Sequence, residues 1–352
     1  WSSDVCSSDL YFALLVGAVT AKYRVDCPHK KGKISGMNKR SGWLRAILNF
    51  SLSIAALNLT FNTSHGFDLR AFSTPPGQQT TSVRYAGTLK RDFHHQSLNV
   101  TAPLYKDDSN AVLLSPRIVW FDLVPNNSAV PDLYDFQIGA TYMRQTARQH
   151  VWSIQSTYGS ASNKPFKDSS VTTVSGLASY RFPTSSASTW SFFLQYSNNR
   201  PILNGWPLPG FAYTYVPSKD FRATFGVPFA SLYWKYADHW SVNLFTLAPW
   251  VARLQNNYII GGPIQVFAGG ELSQATFLLH GRADKKERFY YDEKKAFIGF
   301  QSPLSAALMG ELEAGISDDR RFFSSKKYRP NPSPRTDLGA SGYGKLTLSA
   351  RL

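Results

Sequence analysis

The sequence lacks a long hydrophobic run. Across 352 residues no apolar stretch reaches the ~18 needed for a spanning helix, so a membrane-spanning helix is not expected. Cysteine is nearly missing. Cys6 and Cys27 are the only two, and both fall within residues 1–36. From residue 37 onward there is no thiol, so neither a disulfide framework nor a cysteine zinc site is available there. A glycine-rich phosphate loop and a zinc motif are also missing. The acidic pairs Asp107-Asp108 and Asp318-Asp319 lack the further oxygen ligands of a calcium loop. No metal and no cofactor is therefore expected. Acidic residues are the minority, 23 against 38 Lys and Arg, for a net charge of +15. The basic residues gather on no helix, so nucleic acid is not an expected partner. Contact with anionic lipopolysaccharide, or an anion-attracting pore, suits their scatter better.

What the sequence has in quantity is alternation. Tyr134, Phe136, Ile138, Ala140 and Tyr142 interleave with Asp135, Gln137, Gly139 and Thr141. Trp190, Phe192, Leu194 and Tyr196 interleave with Ser191 and Gln195, and Leu346, Leu348, Ala350 and Leu352 with Lys345, Thr347, Ser349 and Arg351. Side chains of a strand point to opposite faces with period two, so each segment has one apolar and one polar face. Many such segments separated by turns are the signature of a transmembrane β-barrel. The expected fold is all-β, a transmembrane antiparallel up-and-down β-barrel of about 12 strands, within about 10–14. The 14% aromatic content then supplies girdles at the two membrane interfaces.

Three segments are expected along the chain. Trp1 to Leu10 resembles translated sequencing-adapter sequence, so residues 1–36 read as a non-native extension. Residues 37–66 read as a signal peptide: Met37-Asn38-Lys39-Arg40 is basic, Trp43 to Leu59 is apolar, and small and polar residues follow at Thr63-Ser64-His65-Gly66. Residues 67–352 form the barrel and keep a net charge of about +10.

Strands are expected near 80–90, 96–105, 110–121, 132–144, 149–160, 170–182, 188–198, 210–216 with 220–226, 229–236, 239–249, 264–279, 288–300, 304–316 and 341–352. The short connections at 145–148, 218–220 and 237–238 suit a periplasmic side. The longer ones at 124–131, 161–169, 200–209, 284–287 and 318–340 suit the opposite side.

Several stretches resemble a porin-like family of bacterial outer-membrane β-barrels to which no activity is assigned. They are Asn204-Gly205-Trp206-Pro207-Leu208-Pro209-Gly210-Phe211, Phe225-Gly226-Val227-Pro228 and Gly310-Glu311-Leu312-Glu313-Ala314-Gly315-Ile316, the last leading into Asp319-Arg320-Arg321. The resemblance implies a barrel in the bacterial outer membrane of a Gram-negative cell. It carries over no catalytic residue. Barrels of this kind are recognised by an assembly machinery through a final alternating strand that usually ends in Phe; here it ends in Leu352.

Candidate site residues follow from parity. Arg84, Asp135, Arg181, Arg222, Lys235, Glu311, Glu313, Lys345 and Arg351 oppose the apolar face of their strands and are expected in the lumen. Charge cannot face lipid cheaply, so the fold alone demands inward charge. Paired carboxylates such as Glu311 and Glu313 could also do acid–base work, with lumen salt bridges as the plainer reading. A nucleophilic pair is not expected: His150 and Ser153 lie three apart in one strand, hence on opposite faces, and His94-His95, His239 and His280 read as rim residues. The expected function is a passive or weakly selective pore for small solutes, not an enzyme. A closed structural or adhesion barrel acting through its loops is the alternative, and a lipid-modifying barrel enzyme a further one.

Overall fold

The computed structural model describes residues 74–352 except 92, 124–129, 202, 248–250 and 330–331. The expected extension at 1–36 and signal peptide at 37–66 lie outside the described residues. Alternation becomes strands in chain order: β1 (Ser82–Lys90), β2 (Phe93–Lys106), β3 (Asn110–Leu123), β4 (Leu133–Gln145), β5 (Val151–Ser162), β6 (Thr172–Pro183), β7 (Ser188–Ser197) and β8 (Leu208–Ser218). There follow β9 (Phe221–Val227), β10 (Phe229–Trp234), β11 (Trp240–Leu247), β12 (Val251–Gly261), β13 (Ile264–Phe277), β14 (Arg288–Pro303), β15 (Leu308–Ser325), β16 (Thr336–Asp337) and β17 (Ser341–Arg351). From β1 to β15 each strand pairs antiparallel with the next; β15 pairs with β17, and β17 returns to β1. The two-residue β16 leans on β15 and does not enter the ring.

The described residues thus form a closed antiparallel barrel of sixteen strands, which corrects the expected count of about 12. Two features hid the extra strands. β12 lies outside the expected strands, because its inward residues Arg253, Gln255 and Asn257 are joined by polar Asn256 on the other face. β9 has only 7 residues, shorter than the ~9–11 of a usual spanning strand, and it stands joined to β8 in the expected element 210–216 with 220–226.

The two rims differ. Both ends of the described barrel, and the short connections 107–109, 146–150, 184–187, 219–220, 235–239, 262–263 and 304–307, lie at one rim. The described residues of the long connections between β3 and β4, β5 and β6, β7 and β8, β13 and β14, and β15 and β17 lie at the other, which also carries the single-residue link Pro228 between β9 and β10. The connection from β15 to β17 is shorter than expected because β15 continues to Ser325; Asp318-Asp319, read as a loop pair, lies inside that strand.

The outer wall is apolar. Ile154, Phe225, Ile298 and Leu312 are 58–65% exposed, each on a different strand. Large apolar side chains project in this way around the ring, and a patch of that extent belongs against lipid. At the short-turn rim, aromatic rings touch from strand to strand: Trp152–Tyr180 at 4.2 Å, Trp190–Tyr213 at 5.1 Å and Trp240–Tyr258 at 4.8 Å. A closed wall with no free edge, an apolar belt and an aromatic girdle describe a membrane β-barrel. No helix among the described residues is long and apolar enough to cross a membrane.

Inside, aromatic rings lie over glycines of the neighbouring strand. Phe267 faces Gly299 across β13 and β14, and a Cβ on Gly299 would sit 2.2 Å from the Phe267 ring and 2.6 Å from the Leu312 carbonyl oxygen. The missing side chain is what lets the ring lie flat on the wall. Gly299→Val should therefore destabilise the barrel by about 1–3 kcal/mol, measured as a lowered guanidinium midpoint of the refolded protein. An unchanged midpoint would show that the wall yields there without strain.

Candidate functional site

A sixteen-stranded ring encloses more space than inward side chains usually fill, and such barrels often hold a water channel. Here the long-loop end is closed by the wall itself. The upper ends of β13–β15 lean across the mouth. Residues 288–293 and 320–323 are all buried, so both faces of the extension are covered. On one face Phe277, Phe289, Tyr291 and Phe322 pack with Val119, Phe121, Leu133 and Ala161. The Leu278 N–H donates to the Ala161 carbonyl at 2.7 Å, joining the end of β13 to the end of β5 across the lumen. On the other face Asp292 accepts from Gln274 at 3.0 Å, from Tyr328 at 3.1 Å and from Arg321 at 3.1 Å.

The bend has a visible origin. The β14–β15 register slips between Asp292 and Lys294, and Asp319 has φ +46° at that point. A β-bulge of this kind kinks a strand and increases its twist. Lys294 holds the Asp319 carboxylate at 2.8 Å.

Loops fasten the closed mouth. Arg288 donates to the Asn198 carbonyl at 2.9 Å, Asn199 to the Thr276 carbonyl at 3.0 Å and Arg282 to the Ser170 carbonyl at 2.5 Å. Arg320, 2% exposed, donates to the carbonyls of Gly339 and Leu338, and Leu338 packs on the aromatic cluster. His280 meets Asp168 at 2.8 Å, and Lys326 meets Asp284 at 2.7 Å.

Below the cap lies a cavity of about 120 Å³ between the β1–β4 wall and the β12–β17 wall. A charge network lines it. Arg253 reaches Glu271 at 2.6 Å and Glu313 at 2.9 Å, and Lys295 reaches Glu271 at 2.9 Å and Glu293 at 3.2 Å. Lys345 lies 3.5 Å from Glu313 and 3.9 Å from Glu311, Tyr343 donates to Glu313 at 2.8 Å, and Lys90 pairs with Glu293. Removing one partner of such a buried pair costs about 3–5 kcal/mol, so the network ties β1 and β12–β17 to one another. Toward β6–β12 an apolar cluster of Leu177, Phe193, Ala212, Phe229, Phe245, Leu247 and Val251 fills part of the lumen, beside buried Ser179, Ser191 and Ser241.

The candidate residues separate into groups. Glu311, Glu313 and Lys345 meet in the network, and Arg84 and Asp135 line the same cavity. Arg117, also lining it, lies 3.6 Å from Asp135. Arg351 shares the inward parity of Lys345 at the short-turn end of β17. Arg181 shares parity with buried Leu177 and Ser179, and Arg222 with buried Thr224, away from the cavity. Lys235 lies beyond β10, in the short connection to β11.

Sequence reasoning missed Arg253, Glu271, Glu293, Lys295, Lys90 and His95. His95 was read as a rim residue; it lies inside, stacked on Phe121 at 4.4 Å, and lines the cavity. A parity reading of β12 would have found Arg253, and one of β14 Glu293 and Lys295. His150 shares a 2.7 Å hydrogen bond with Tyr180, while Ser153 is buried against Ser179. Among the described residues no group of His, Cys, Asp or Glu could hold a metal ion.

No protein-family model matches this sequence, and no curated protein matches it. Solved structures similar to it include the NanC porin, with a TM-score of 0.30 and 7% identity over 77% of this chain and 100% of that one. The Pseudomonas putida toluene transporter TodX gives 0.34 and 7% over 82% and 94%. An active-site mutant of Escherichia coli outer membrane phospholipase A gives 0.26 and 10% over 85% and 97%. At these values the likeness carries no functional argument, and the barrel stands on its own pairing and surface.

The loop carboxylates give a pH dependence. Hydrogen bonds from Ser170 hold the Asp168 carboxyl below its ordinary value, and the bond from Lys326 does the same for Asp284. A carboxylate depressed by folding stabilises the fold above its ordinary value of about 4 and loses that contribution as pH falls through the lowered value. The loop fastenings should therefore hold from neutral pH down to about 4 and loosen below it. A nitroxide at Phe166→Cys, in the 163–171 loop, should give a sharper electron-spin-resonance line as pH drops from 7 to 2. An unchanged line would remove these carboxylates from the fastening.

Proposed function

We propose that this chain is an outer-membrane channel of the narrow, solute-selective kind, with its extracellular mouth closed. Short turns at one rim and long loops at the other fit the periplasmic and extracellular sides of a bacterial outer-membrane barrel. The observation that carries the reading is the pairing of two features in one lumen: a mouth covered by the leaning ends of β13–β15, and beneath it a charged cavity. A general porin needs neither. A channel that admits few solutes uses both, since a charged constriction selects and a movable cover limits leak.

The proposal assigns no reaction to the chain. It keeps lipid and lipopolysaccharide as its surroundings. The assembly machinery would read β17, whose outward Leu346, Leu348 and Ala350 alternate with inward Lys345, Thr347 and Ser349. One observation favours the alternative of a loop-based platform. The fastened loops present Trp206 at 69% exposure and Leu203 at 58% on a fixed surface.

Conductance in a planar bilayer separates the two. The refolded barrel should show rare, small steps. Asp292→Ala removes the group that holds Gln274, Arg321 and Tyr328 and should raise the open fraction by about tenfold or more. Silence from both proteins, each shown to be folded, would overturn the channel and leave the platform.

A further inference from the structure

The lining of the cavity points to a class of solute. Six cations line it, Arg84, Lys90, Arg117, Arg253, Lys295 and Lys345, against four carboxylates, Asp135, Glu271, Glu293 and Glu311. Glu313, in contact with Arg253 and Lys345, brings the carboxylates to five. The count leaves a net positive cavity in a partly desolvated interior, where an added negative charge is stabilised. The charge is unevenly placed. Arg84 and Arg117 sit toward the short-turn side, on neighbouring walls that both face Asn99 of β2. The opposite end is made of rings, with His95 stacked on one face of Phe121 at 4.4 Å, and Phe277 and Tyr291 edge to face with Phe121 at 5.5 Å and 6.0 Å. A volume of about 120 Å³ holds on the order of ten water-sized sites, which suits a small molecule and excludes an oligomer.

We propose that the cavity is a binding site for a small organic monoanion with a flat apolar body. Its ring lies against Phe121 and Tyr291, and its carboxylate points down to Arg84 and to Arg117, where it joins Asp135, already 3.6 Å from Arg117. Rings edge to face accept a further aromatic face, and a guanidinium pairs with a carboxylate through a planar fork of donors. A cation meets the wrong majority of charges, and a short aliphatic acid leaves the ring end unfilled. This inference rests on reading the lumen as a solute path.

Benzoate is the probe, titrated calorimetrically into the folded full-length protein in detergent, with benzylammonium and acetate as comparators. Benzoate should bind about tenfold or more tighter than either comparator. Arg84→Gln should weaken benzoate by about tenfold while leaving the heat-modifiable mobility of the folded barrel unchanged, and Phe121→Ala should erase the preference over acetate. Equal or tighter binding of benzylammonium, no benzoate binding by folded protein, or full affinity in folded Arg84→Gln would each overturn the site. Binding without conductance supports the site and removes the path. Conductance without benzoate binding keeps the path and overturns the site.

Discussion

Ring closure governs the rest of this structure. A membrane barrel must pair every backbone group within the wall, because lipid offers no hydrogen bonds. Once β17 returns to β1 the number of strands is fixed, and with it an interior larger than sixteen rows of ordinary side chains fill. The chain meets that excess in three ways. Large apolar residues occupy the β6–β12 side, a charge network occupies the β12–β1 side, and the tall ends of β13–β15 fold over the mouth. The lengths of the strands make the last device available: β15 has 18 residues, whereas β10 has 6.

The charge network and the cap support each other. Lys90 and Glu293 sit directly beneath Tyr291, and the Lys90 amino group lies 6.0 Å from that ring. The rings keep bulk water from the ion pairs, which strengthens them. The ion pairs hold β14 in the register from which its upper end bends at Asp292. An ordinary hydrophobic filling could occupy the same space, so retention of so many paired charges is itself a reason to look for a charged visitor.

Much of the fold was legible in the sequence. Tyr134 to Tyr142 and Lys345 to Leu352 state their inward and outward faces by parity alone, and the inward placement of Glu311, Glu313 and Lys345 follows from it. The count was not legible. The seven residues of β9 follow β8 so closely that the two read as one element, and Asn256 interrupts the apolar face of β12. The closed mouth was not legible either. Residues 288–293 alternate in polarity no differently from a wall strand, yet both their faces are buried, and contacts made across the lumen, such as that of Leu278 with Ala161, show why. Parity tells a side chain which face it takes. It does not say that a strand leaves the wall.

That contact also gives the most direct test. From residue 37 onward the chain has no native cysteine, so Ala161→Cys with Leu278→Cys places the only two thiols of that segment at the point where β5 meets β13. The positions are joined by a 2.7 Å backbone hydrogen bond, which brings together the two backbones that a disulfide must bridge. The measurement is disulfide formation in the folded barrel under mild oxidation, followed by conductance before and after reduction. The account expects rapid closure and an oxidised barrel that is silent and conducts on reduction. Thiols that stay free in the folded barrel, or an oxidised channel that conducts as the reduced one does, would contradict it.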